Sequence, residues 1–478
     1  MIGLKPRQQR GNGALPQRVH LVGAGGVHMS AIGQVLRARG HEVSGSDLAA
    51  SQYTDRLQAL GATVHIGPHD AAYVGEAQLV VATAAAKPDN PELIAARERG
   101  VPVILRAEMV QRLIADRDVL AVAGTHGKTT TTAMAALMAV RGDLDPMVLL
   151  GGDARDLDDA NVRDGAGPVA VLEADEYAEA FLEYEPRIAL VTNIEADHLD
   201  YYATEERLRE AFAKFAARVK PGGTLIACAD SPYALALAEE RRAAGAWVER
   251  YAIDHEDAEW SVRRVRGNDR GGLEATVHLE GVELGRLSLS VPGRHNLLNA
   301  LGALAAAMRA GVDFHRAAAA AAAFTGTRRR FEVKGEVPRD GDTITVIDDY
   351  AHHPTEVRAT LLAARQRYPG RRLVACFQPH TYSRSTYLLD GFRTCFEGLD
   401  ELYVLRTYEA RETADSGMDA RALAAEITRP AATYLDSFEE AAERIAAALR
   451  PGDVCFTLGA GDVTDLAPML LARLEAAS

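Results

Sequence analysis

Short apolar runs, each closed by polar residues and followed by a stretch with helical spacing, recur along the chain. In the first hundred residues the runs are Arg18–Gly23, His41–Asp47, Thr63–Ile66, Leu79–Thr83 and Val101–Leu105. A helix to about Arg39 follows the first run, and further helical patterns cover Tyr53–Leu60 and Pro91–Arg99. Strands alternating with helices predict a parallel sheet covered by helices. Charge at Asp116–Asp118 interrupts the rhythm and marks the first expected boundary. A second unit opens with Val119–Ala123 and continues with Pro168–Glu173, Arg187–Asn193 and Gly222–Cys228. Residues 261–291 read as antiparallel ribbons with turns at Gly271-Gly272, Gly281 and Gly285. A long Ala/Leu helix then starts at Pro292–Asn299, the alanine run 317–323 reads as a packed helix, and Gly326–Phe331 breaks the pattern. The last unit repeats the rhythm with Thr343–Ile347, Arg372–Phe377, Glu401–Leu405 and Val454–Leu458. The expected class is α/β in three domains, 1–117, 118–327 and 328–478: the outer two Rossmann-like, the central one like a P-loop ATPase.

Composition narrows the function. The 478 residues exceed one ordinary core, and 47% hydrophobic with 25% charged residues is a globular balance. A net charge of −14 disfavours nonspecific nucleic-acid or membrane-surface binding, which needs the opposite sign. Cys228, Cys376, Cys395 and Cys455 are widely spaced, which predicts reduced thiols and neither disulfides nor zinc. Met1–Gln17 lacks the apolar core of a signal peptide, and no 18-residue apolar span occurs, so a cytoplasmic protein is expected.

The sharpest chemistry sits after Val119–Ala123. Gly124, Thr125, His126, Gly127, Lys128, Thr129 and Thr130 form a shortened phosphate loop, with Val122 where the full motif has its first glycine. Glycines let backbone N–H groups converge on phosphate oxygens, Lys128 supplies a point charge, Thr129 offers a hydroxyl to Mg²⁺, and the following helix adds its positive end. A second glycine loop, Gly23, Gly25 and Gly26, precedes Ser30 and is followed about twenty residues on by Asp47, nearly the dinucleotide fingerprint. Its last glycine is replaced by His28. Acids cluster at Glu173–Tyr177 and at Asn193–Asp200, and both follow strands of the phosphate-loop unit. Ligands bind at the carboxyl ends of parallel strands, so these tails should converge beside Lys128 and suit Mg²⁺. His198 by itself reads as a surface or capping residue. The arginines 328–330 are either a solvated joint or an anion clamp. Tails at Asp348–Pro354, Gln378–Arg384 and Gly459–Asp462 form one more wall, and the pair His352-His353 lacks the ligand spacing of zinc.

The motifs Gly124–Thr132, Glu173–Tyr177, Asn193–Asp200, His295–Ala300, Arg329–Phe331, Asp348–Glu356 and Leu458–Asp462 together resemble the Mur ligases over nearly the whole chain after the leader. The similarity is greatest to members that join L-alanine to UDP-N-acetylmuramate. It implies an N-terminal domain for the UDP-sugar, a central ATPase and a C-terminal domain for the amino acid, with ATP and Mg²⁺ as cofactors and an acyl phosphate as intermediate. It further implies Lys128, Glu173, His198 and Arg330 as the catalytic set, with Thr129, Glu173 and His198 at the metal. By the same resemblance Asn296 and Asn299 meet adenine, and Arg330, Asp349 and Tyr350 contact the nucleotide across a domain joint. His126 is expected near the UDP-sugar, Gly23, Gly25, Gly26, Ser30 and Asp47 at UDP, and His352, His380 and Arg384 at the amino acid.

The chain departs from the family pattern in two places. Thr381 stands where an arginine is expected to grip the amino-acid carboxylate, and the stretch Tyr408–Glu412 is altered, with Arg411 the expected substitute. The rival readings are a recycling ligase that attaches a ready-made peptide, an NAD-dependent oxidoreductase, which leaves Lys128 and the acid clusters without work, and a regulatory ATPase, which leaves the histidines of the third unit unexplained.

Overall fold

A computed structural model describes residues 15–410 and 412–476; most of the leader and Arg411 lie outside it. The chain builds three sheets. The first contains five parallel strands in the order Thr63–Ile66, Glu42–Asp47, Arg18–Val22, Leu79–Ala82, Val103–Leu105. Its order reverses at Arg18–Val22, which sets the first glycine loop at the switch point where such sheets hold ligands.

The second sheet has ten strands. Asp118–Ala123 runs parallel between Val169–Glu173 and Ile188–Val191, so the two acidic tails flank the phosphate loop as the sequence predicts. At one edge Trp260–Gly267, Leu273–Leu279 and Val282–Ser288 are antiparallel. Gly281 turns the ribbon, but Gly285 does not: it sits inside the last strand near a register shift, and a Cβ there would come within 2.7 Å of the Phe314 ring. At the other edge an unpredicted antiparallel pair, Met147–Ala154 and Ala160–Asp164, packs against the first domain. The helix Lys128–Arg141 is buried along most of its length against Arg294–Arg309 and Phe314–Ala323. Its Ala and Thr side chains permit that close approach, and the alanine run packs through Ala317, Ala320 and Ala321.

The third sheet has six strands, parallel except for the unpredicted edge strand Glu332–Arg339. All four cysteines are free and buried. Among the described residues, no helix is long and apolar enough to cross a membrane.

Candidate active site at the meeting of three sheets

Two left-handed glycines shape the phosphate loop: Gly124 at φ 138° and Gly127 at φ 78°. Neither tolerates a side chain, since a Cβ would fall 2.0 Å from Thr192 Oγ1 or 2.6 Å from Asn299 Oδ1. Thr125 splints the loop to the neighbouring strand end, its hydroxyl donating to Glu195 O at 3.2 Å and accepting from Glu195 N at 2.9 Å. Lys128 Nζ folds back over the loop and donates to Gly124 O (2.5 Å), Thr125 O (3.1 Å) and Glu176 Oε1 (2.8 Å). Burial opposes its charge, yet the neighbouring carboxylates, Glu176 first, raise its pKa.

Thr129 Oγ1 donates to Glu173 Oε1 at 3.1 Å, and Gly151 N donates to Oε2 at 2.9 Å. Burial raises the Glu173 pKa. A hard cation answers both features, a hydroxyl and a carboxylate converging and a carboxylate short of countercharge, so the oxygens fit Mg²⁺. His198, in the left-handed region at φ 53°, turns its Nε2 toward Glu176 Oε1 (3.8 Å) and Asp197 Oδ2 (3.9 Å). It stands on the acidic side of Lys128. Glu176 carries no signal in the sequence that marks it as the lysine's partner.

A pocket beside the loop is walled by Gly127, Thr130, Asn296 and Asn299 from the central domain and by Arg330 and Asp349 from the third. Asn296 Nδ2 donates to Pro292 O at 2.7 Å. Arg330 bonds Glu356 at 3.2 Å and lies 5.0 Å from the Tyr350 ring centre. Asp349 accepts from Phe331 N and Ala351 N, each at 2.8 Å; burial nevertheless lifts its pKa to about 6. The three arginines divide their labour. Arg328 pairs with Asp159 across the joint and with Glu332, and Arg329 donates to Gly459 O and Gly461 O within the third domain; Arg330 alone of the three lines the pocket.

His126 also lies here, not in the first-domain cleft. Its Nε2 is 3.3 Å from Glu195 and its Nδ1 3.6 Å from Glu356. Burial lowers its pKa, but the two carboxylates prevail and raise it to about 9. The turn into the helix points this side chain toward the third domain.

A second pocket takes in His380 and Arg384 of the third domain. Tyr177, Asp197, His198, His380, Thr381 and Arg384 line it. Arg384 Nη1 meets His380 Nδ1 at 2.7 Å. The rings of His352 and His380 are 5.6 Å apart, and burial lowers their pKa values to about 3 and about 2, leaving both neutral. Thr381 adopts φ 66°, and Glu412 is bonded to the backbone N–H of Ser383 at 2.9 Å and to its hydroxyl. The next helix, Pro354–Arg367, is capped by His353, whose Nδ1 accepts from Thr355 N, while Glu356 reaches back to the backbone N–H groups of His352 and His353.

In the first domain Gly26 lines a cleft with His28, Thr83, Arg106, Asp175 and Tyr177. Gly23, at φ 84°, makes the turn, and Asp47 Oδ2 accepts from Gly25 N at 2.8 Å, closing that donor. A Cβ on Gly25 would lie 2.9 Å from the same oxygen. Ser30 does not face the cleft. It is fully buried, its hydroxyl donating to Tyr53 O at 3.1 Å and accepting from Gln34 at 3.2 Å, because it sits on the inward face of its helix. Arg106, missed in the sequence, spans to Asp175 of the central domain at 3.1 Å. The first two domains are further tied by the forks Arg39–Asp164 and Arg56–Asp153.

Family models match residues 18–118 (Mur ligase family, catalytic domain), 122–307 (Mur ligase middle domain) and 329–461 (Mur ligase, glutamate ligase domain). The chain is 44% identical over 466 residues to UDP-N-acetylmuramate--L-alanine ligase of Symbiobacterium thermophilum, covering 96% of this chain and 95% of that protein. It is 45% identical over 470 residues to the enzyme of the same name from Saccharopolyspora erythraea, with 97% and 94% covered. The crystal structure of UDP-N-acetylmuramate-alanine ligase from Thermotoga maritima superposes with a TM-score of 0.81 at 29% identity, covering 96% of this chain and all of that one. A murein peptide ligase from Psychrobacter arcticus gives 0.73 at 26%, covering 96% and 99%.

Proposed function

The chain belongs to the Mur ligase family, and on that premise we propose how its three walls divide the work of one ATP-dependent ligation. The reaction joins the amino group of L-alanine to the lactyl carboxylate of UDP-N-acetylmuramate, a step in making peptidoglycan precursors. Domain 1–117 holds the UDP-sugar, 118–327 binds ATP, and 328–478 presents the amino acid. The observation that carries this division is the pocket at the phosphate loop, whose far wall, Arg330 and Asp349, comes from the third domain. With ATP and a nucleotide sugar as co-substrates, we assign the reaction to the cytoplasm.

A free carboxylate is a poor electrophile, so its oxygen first attacks the γ-phosphorus of ATP and ADP departs. The amine of alanine then adds to the acyl carbon, phosphate leaves, and the amine gives up a proton. Catalysis of this kind is positioning and charge neutralisation. Lys128, released from Glu176 by a competing phosphate, neutralises the β/γ-oxygens; Arg330 does the same from across the joint. Thr129 and Glu173, with His198 near by, would hold Mg²⁺, which neutralises phosphate charge when bound. Asn296, Asn299 and Asp349 orient the nucleoside, with Tyr350 beside Arg330. Gly23, Gly25 and Gly26 shape the diphosphate loop, Asp47 braces it, and Arg384 meets the alanine carboxylate. His352, kept neutral by burial with its Nδ1 donating to Tyr350 O, has its Nε2 lone pair left to accept a hydrogen bond from the incoming amine, and His380 Nδ1 accepts from Arg384 and orients it.

The test is phosphate release with ATP, Mg²⁺ and UDP-N-acetylmuramate, adding amino acids one at a time and then a peptide. Release is expected only with every component present and is greatest with L-alanine. Full turnover without the UDP-sugar sinks the proposal, and a preference for the peptide favours the recycling reaction.

A further inference from the structure

We propose that His126, Glu195 and His353 form a site for a divalent transition-metal ion with the ligand preferences of zinc, bridging the central and third domains. One ring nitrogen from each histidine and one carboxylate oxygen of Glu195 lie within 4.8 Å of one another; among the described residues no other group of three or more His, Cys, Asp or Glu side chains is drawn together so tightly. His126 Nε2 and Glu195 Oε2 are 3.3 Å apart, about the separation of two ligands on one tetrahedral ion with bonds of roughly 2.0–2.1 Å.

The surroundings are those of a ligand set. His126 Nε2 is buried and faces Glu195 Oε2 at 3.3 Å, while its Nδ1 faces the Glu356 carboxylate; an ion at Nε2 displaces the proton that the two carboxylates hold on this ring. Metal-binding imidazoles commonly turn their other ring nitrogen to a carboxylate in this way, which fixes the tautomer. Glu195 is steadied by the Thr355 hydroxyl at 2.7 Å. His353 Nδ1 accepts from Thr355 N and Nε2 carries the ring proton toward Ala196 O at 3.2 Å, so ligation through Nε2 moves that proton to Nδ1 and releases the cap bond to Thr355 N. Two imidazoles and one carboxylate select zinc, cobalt or nickel over magnesium, which prefers the oxygens at Thr129 and Glu173. Because His126 and Glu195 belong to the central domain and His353 to the third, the bound ion holds the two together along the wall of the nucleotide pocket.

Cobalt(II) is the probe, since four-coordinate nitrogen and oxygen ligation gives intense visible bands that octahedral cobalt lacks. The full-length protein is titrated without nucleotide as wild type, His198→Ala, Glu195→Gln and His353→Asn. Asparagine keeps a helix cap, and circular dichroism confirms each fold. Intense bands with one-to-one stoichiometry are expected in the wild type and in His198→Ala. Affinity should fall at least tenfold in Glu195→Gln and His353→Asn. Absence of the bands, their loss in His198→Ala alone, or their survival at full affinity in both of the other variants overturns the site.

Discussion

Arg384 crosses from the third domain to the central one and donates to Asp197 Oδ1 through Nη2 at 2.7 Å and Nε at 3.2 Å. Both side chains are almost wholly buried. Burial alone would lift the Asp197 pKa, but Arg384 and the nearby histidines hold it well below the usual carboxylate range. The guanidinium that we propose receives the amino-acid carboxylate is thus already aimed by an opposing acid and by His380.

Arg384→Lys keeps the charge and loses the fork. Hydrogen bonds to charged groups contribute about 1.5–3 kcal/mol, so the alanine KM should rise roughly ten- to a hundredfold. The KM for ATP should stay unchanged. Steady-state kinetics with each substrate varied in turn checks this; a rise confined to ATP would remove Arg384 from the amino-acid end.

Lys128→Ala should abolish turnover while calorimetry still detects UDP-sugar binding. It also strands buried Glu176 without its cation, and loss of one partner of a buried pair costs about 3–5 kcal/mol. Adding Glu176→Gln removes the stranded charge. The double variant should therefore recover thermal stability and no activity; recovery of turnover would mean that Lys128 serves the fold alone.

The phosphate loop was readable because its signal is local: an apolar run, a glycine turn and a helix of small residues are contiguous. The convergence of Glu173 and Asn193–Asp200 beside it followed from the geometry of parallel sheets. What stayed hidden is long-range. Arg106–Asp175, Arg56–Asp153 and Arg384–Asp197 join residues 69, 97 and 187 positions apart, and nothing local in the chain pairs them. The edge strand Met147–Ala154 was masked by its own Gly151-Gly152 and Asp153, which break the apolar run. Ser30 and His126 were placed by family resemblance, which gives position along the chain without the direction of the side chain. Arg411 lies outside the described residues, and among those described Arg384 is the one arginine lining the pocket beside Thr381.

Asp349 gives a pH signature. Its folded pKa of about 6 lies above the ordinary 3.8, so its contribution to stability is fully present below about 4 and is lost as pH rises through about 6. The shift corresponds to at most about 3 kcal/mol. Glu356, held well below its ordinary value by His352 and Arg330 in spite of burial, acts in the opposite sense, so the difference between wild type and Asp349→Asn is the quantity to measure. Melting temperatures from pH 4 to 7 should show wild type losing ground to the variant as pH rises. A difference independent of pH would place the Asp349 carboxyl in ordinary solvation.

Gly151 tests the metal side of the site without touching a proposed ligand. Its amide holds Glu173 Oε2 at 2.9 Å, and a Cβ at this position would fall 2.6 Å from the same oxygen and 2.7 Å from Oε1. The backbone there is not left-handed, so alanine brings no conformational strain of its own and acts by pushing the carboxylate away from Thr129. Displacing one oxygen of a small octahedral cation that demands near-ideal geometry weakens its binding. Gly151→Ala should therefore raise the Mg²⁺ concentration for half-maximal turnover about tenfold, with most of the maximal rate restored at saturating Mg²⁺ and the alanine KM unchanged. A Mg²⁺ titration of ATP turnover decides it: an unaltered dependence in a well-folded variant would take Glu173 out of the metal site.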